Sequence, residues 1–111
     1  MIDVRVSIYL ASKTRWVHLQ KTVSLTALPR AGEWLKLHND EMGDYFGWQV
    51  VEVTHREGGL VEVMTDLLDD VDGRGFSFEE ESELDAYHRS FLACGWSGDV
   101  KPNRRYKSGD A

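Results

Sequence analysis

The chain has 111 residues, 41% of them hydrophobic, and a formal net charge of −6. That length supports one hydrophobic core rather than two domains, and the apolar content argues against disorder of the whole chain. No apolar run approaches the roughly 20 residues of a membrane helix, and the acidity weighs against nucleic acid as the main partner, because neutralising phosphate takes Lys and Arg.

The opening Met-Ile-Asp-Val-Arg lacks the charged and apolar regions of a secretory leader, and the single cysteine, Cys94, has no partner for an internal disulfide. Both features fit a cytoplasmic protein. From Ile2 to Leu10 apolar and polar residues alternate: Ile2, Val4, Val6, Ile8 and Leu10 on one side, Asp3, Arg5, Ser7 and Tyr9 on the other. This is the period of a half-buried strand. Ala11–Thr14 reads as a polar turn. Arg15–Leu25 repeats the alternation, with Val17, Leu19, Val23 and Leu25 in phase and Lys21 out of character. The short connection predicts an antiparallel pair.

Pro29 and Gly32 punctuate the chain before a short third strand at Trp34–Leu37. Asn39–Asp44 is a polar loop, and Tyr45–Trp48 leads into the strongest signal, a hairpin of Trp48–Arg56 and Leu60–Leu68. Val, Trp and Thr suit a pleated, half-buried surface. A three-residue loop, Glu57-Gly58-Gly59, with positive φ at Gly59 sets Val53 opposite Val63 and Val51 opposite Thr65. Both hairpin faces carry apolar groups, so both need cover.

A helix is expected after the acidic segment Asp69–Gly75. Ser77 and Glu80 have the spacing of a capping box. Leu84, Tyr87, His88, Phe91 and Leu92 share one helical face. Gly95 is a stop residue, after which Trp96 packs back on Phe91. The fold class is therefore α+β: a five-stranded, mostly antiparallel, strongly bent sheet or small, partly open barrel, followed by one C-terminal helix. Residues 1–96 form the domain, and 97–111 a polar, basic, poorly ordered tail.

The charge is unevenly placed. Asp66–Asp85 carries 9 acidic residues against Arg74 alone. Aligned as a calcium loop, this stretch supplies Asp70, Asp72 and Glu79 but fails at Leu68 and Gly75, so no metal site is expected. His18, His38, His55 and His88 form no short-spaced pair with one another or with Cys94, which leaves no zinc pattern. Cys94 falls near a helix C-terminus, where the dipole disfavours a thiolate. No cofactor and no catalytic residue is expected.

What remains is recognition. The expectation is a non-enzymatic protein-binding module that presents Asp66, Asp69, Asp70, Asp72, Glu79, Glu80 and Glu83 to a basic protein, with Trp16 as an exposed aromatic contact. Its most concrete form is an immunity-type inhibitor covering the basic active-site cleft of a bacterial toxin, such as a nuclease. The alternative is a small nucleic-acid- or ligand-binding barrel that uses Trp16, His18 and Gln20 on an exposed sheet face together with the basic tail Lys101–Lys107.

Overall fold

The computed structural model describes residues 1–38, 45–67 and 75–102. The strands are β1 (Ile2–Ala11), β2 (Arg15–Leu25), β3 (Trp34–His38), β4 (Tyr45–Thr54), β5 (Val61–Leu67) and β6 (Val100–Pro102), and the helix α1 (Glu81–Ala93) precedes β6. They form one sheet of six strands in the order β3-β4-β5-β1-β2-β6. Among the described residues the protein is thus a small α+β domain with an unclosed sheet and one helix, as expected in class. Two details differ. The sheet is mixed, because β5 runs parallel to β1, with Val4 opposite Val61 and Val6 opposite Val63. It also has a sixth strand: Val100–Pro102, in the stretch read as a tail, pairs antiparallel with Arg15–Val17 of β2.

The alternation in β1 and β2 holds over the middle of the strands, although Ile2 is exposed and Ser7 is buried. Val4, Val6, Ile8, Leu10, Val17 and Leu19 are fully buried, and β1 pairs with β2 from Ile2–Leu25 to Ala11–Trp16. These residues join Leu35, Leu37, Trp48, Val50 and Val63 in one core, closed from the same side by Phe78, Leu84, Phe91 and Trp96. Helix α1 therefore covers one face of the sheet. Burying this apolar set is the main driving force for the fold.

The β4–β5 hairpin keeps the expected pairing of Val53 with Val63, but Val51 does not oppose Thr65. A bulge between Val50 and Glu52 brings Val50 opposite Thr65 and leaves Val51 exposed. The extra residue lets Val50 reach the core without moving the tip of the hairpin out of register. The positive φ in the connection belongs to Gly58, at 73°, rather than to Gly59.

At the helix N-terminus the capping box does not form. Ser77 and Phe78 both donate backbone N–H to the Ala11 carbonyl, at 2.8 and 3.1 Å, which keeps them extended beside the end of β1. The helix starts later, with Glu80 in the N-cap position and no side-chain cap. The C-terminus forms as read. Gly95 takes φ of 94°, Gly95 N–H reaches Leu92 O at 3.2 Å, and Trp96 N–H reaches Phe91 O at 3.1 Å. This paired closure ends the helix and sets Trp96 edge-on against Phe91, with ring centroids 5.9 Å apart. Leu92, placed on the apolar face by its spacing, is exposed, and Ser90 is buried in its stead.

Candidate functional site

The topology brings the described part of the acidic stretch, Asp66 and Glu79–Asp85, to one end of the sheet. Parallel pairing puts the C-terminal ends of β1 and β5 together, and the β1–β2 turn and the start of α1 lie at the same end. Asp66 leaves β5 there, and Glu79–Asp85 enters α1 there. Asp69, Asp70 and Asp72 lie outside the described residues, as does most of the stretch compared with a calcium loop.

The described carboxylates fall into two groups. Glu81 and Asp85 turn to Arg15. Arg15 Nε donates to Glu81 Oε1 and Nη1 to Asp85 Oδ1, both at 2.9 Å. Glu81 Oε1 also accepts from the hydroxyls of Ser12 at 2.7 Å and Thr14 at 2.8 Å. Partial burial pushes the Glu81 pKa up, but the hydrogen bonds from Ser12, Arg15 and Thr14 outweigh it, and the carboxyl falls from 4.5 to about 2. This cluster fastens the helix to the β1–β2 turn, so Glu81 and Asp85 are engaged within the molecule, one guanidinium serving both carboxylates. Glu79, Glu80, Glu83 and Asp66 are exposed. Glu79 sits 4.0 Å from Lys13, and Asp66 accepts from the Leu67 N–H at 2.8 Å. Glu80 and Glu83 have no ion pair among the described residues.

The sheet face opposite the helix carries the polar row of β1 and β2. Trp16 was expected to be exposed there. It is half-buried, stacked 6.1 Å from Tyr9, with Lys101 of β6 5.9 Å above its ring. Tyr9 in turn stacks on His18 at 4.6 Å with the rings nearly parallel. His18 Nε2 is buried with no hydrogen-bond partner among the described residues. Burial, and then the nearby Lys101 charge, push the His18 pKa below its ordinary value. The rings in this row are engaged with one another, and Ala11, Leu67 and Phe76 pack beside them in a second small core. Farther along the row, Gln20 donates to Ser7 at 3.3 Å, and Glu62 pairs with Arg56 at 2.7 Å and with Arg5 at 3.8 Å.

The exposed tryptophan is instead Trp34, at 64% of its free area, on edge strand β3. Its neighbour Leu35 faces the core, so strand alternation turns Trp34 outward. A groove of about 570 Å³ runs beside it along the β2–β3 connection, with Leu25, Leu28 and Leu35 in its lining and Arg30 and Glu33 among its polar groups. Trp34 is in phase with Lys36 and out of phase with Leu35 and Leu37, which was the signal available in the sequence.

Among the described residues, no three His, Cys, Asp or Glu side chains converge as metal ligands, and no helix is long and apolar enough to cross a membrane. No family model, no curated protein and no solved structure matches this chain.

Proposed function

We propose that this chain is a non-enzymatic protein-binding module whose contact surface is the acidic end of the domain, and that its partner is a basic protein. The observation that carries this reading is the division of the carboxylates. Arg15 takes up Glu81 and Asp85, while Asp66, Glu80 and Glu83 at the same end stay exposed. A structural cluster would neutralise its charges internally; the outer carboxylates keep theirs facing solvent, where they steer a positive surface into contact. In its most concrete form the module is an immunity-type inhibitor that covers the basic cleft of a bacterial toxin such as a nuclease. The alternative use of Trp16, His18 and Gln20 for nucleic acid has less support, since Tyr9, Trp16 and His18 already stack on one another and Lys101 lies over the Trp16 ring.

Affinity capture from the source cell's lysate tests the reading. Retention of a basic protein that raised salt releases supports it, because exposed charge pairs weaken as the Debye length shortens. Retention of nucleic acid alone, lost on deleting Lys101–Lys107, contradicts it.

A further inference from the structure

We propose that two copies of this chain pair edge to edge through β3, antiparallel, with Leu35 on the two-fold axis. The sheet ends in β3 on one side and β6 on the other. β6 has three described residues, one of them Pro102, which lacks an N–H to offer another strand. β3 has five residues, no proline, and no neighbouring strand on its outer side among the described residues. That outer row of N–H and C=O groups is a template for a further strand.

The side chains leave the approach open. Leu35 and Leu37 face the core, and Trp34 and Lys36 face the other way. Trp34 and Lys36 both lean over Gly47 of β4: a Cβ placed on Gly47 would lie 3.5 Å from the Trp34 ring and 3.6 Å from Lys36 Nζ. An edge lysine guards a strand by reaching into the path of its neighbour. Lys36 lies back over the sheet instead.

Self-complementarity selects a second copy as the occupant and fixes the register. With Leu35 opposite Leu35 of the second copy, Trp34 lies opposite Lys36 of that copy, and symmetry makes the contact twice. Leucine stands opposite leucine on the core side, and tryptophan opposite lysine on the other. With Lys36 on the axis, two like charges stand directly opposite. With Trp34 on the axis, Lys36 falls opposite Gly32, which lies outside the strand with φ of 94°. The Leu35 register avoids both conflicts, and it gives a closed isologous dimer. β3 is separated from β1 by β4 and β5, so the dimer leaves the acidic end free.

The test uses two single-cysteine chains in a Cys94→Ser background, Trp34→Cys and Lys36→Cys, oxidised separately and as a mixture. Directly opposed Cα atoms about 5.5 Å apart fall within disulfide reach. The expected result is a covalent dimer from the mixture and none from either chain alone. In addition, the unmodified protein should sediment as a dimer when concentrated and dissociate on dilution. A native chain that is monomeric at every concentration overturns the proposal, and that measurement needs no variant to fold. Cross-linking by Lys36→Cys alone, or equally in all three samples, overturns the register.

Discussion

Arg15 Nε donates to Glu81 Oε1 at 2.9 Å, joining the first residue of β2 to the first residue of α1. The same guanidinium reaches Asp85 one turn on and the Glu81 carbonyl at 3.2 Å. A planar fork meets three acceptors, which lysine cannot reproduce. Arg15→Ala should cost about 1–2 kcal/mol, between a surface ion pair and a buried charged hydrogen bond. Thermal unfolding should show the midpoint falling by about 5–10 °C, with Arg15→Lys in between.

The acid side of the stability curve should carry two signatures. The Glu81 carboxyl titrates at about 2 in the folded chain and at 4.5 ordinarily. Its contribution is present above pH 4.5 and lost as pH falls towards 2. His18 is a base held below its ordinary 6.5, so the unfolded chain takes up its proton first, and stability drops as pH falls through 6.5. Urea midpoints measured across pH should show both declines. Glu81→Gln should flatten the lower one, and His18→Phe the upper.

Lys21 looked misplaced in its strand because its purpose is met elsewhere in the sequence. It lies in phase with Leu19 and Val23, and its ammonium donates to the Cys94 carbonyl at 2.6 Å, 6.0 Å from the Trp96 ring centre. A cation at the helix C-terminus meets the negative end of the dipole and an orphan carbonyl together. Lys21→Met keeps the apolar stem and removes the charge. It should destabilise by about 1 kcal/mol in denaturant titration.

Gly98 lets the chain pass against β2. A Cβ there would lie 1.9 Å from the His18 carbonyl oxygen, a backbone atom with no room to yield. The Gly98 carbonyl is also held 2.9 Å from His88 Nε2. Gly98→Ala should detach β6 while sparing the core. Amide exchange at Trp16 and Lys101, the hydrogen-bonded pair of this ladder, should accelerate, with exchange at Val6 and Val63 unchanged.

What the sequence made legible was local. The phase of Val4, Val6, Ile8 and Leu10, the Val53–Val63 pairing and the Gly95–Trp96 helix stop each depend on residues close together in the chain. What it hid is set by distant ones. The parallel β1–β5 pairing has no turn to announce it. The capping box at Ser77 lost to a ladder with Ala11, and the bulge at Val51 answers the needs of the core. Arg15 lies 66 residues from Glu81, so nothing local marked Glu81 and Asp85 as its partners. Trp16 and Trp34 both sit in alternating strands, and neighbours brought by the fold, Tyr9 and Lys101 among them, half-bury Trp16.

The most direct test of the acidic contact surface compares two baits in parallel captures from the same lysate: the native chain, and the triple variant Asp66→Lys, Glu80→Lys, Glu83→Lys, which spares the Arg15 cluster. With folding verified by circular dichroism, the native bait should retain a basic protein and the variant should lose it, with association slowed about tenfold or more. Retention of the same protein by both baits, at the same rate, would contradict the proposal.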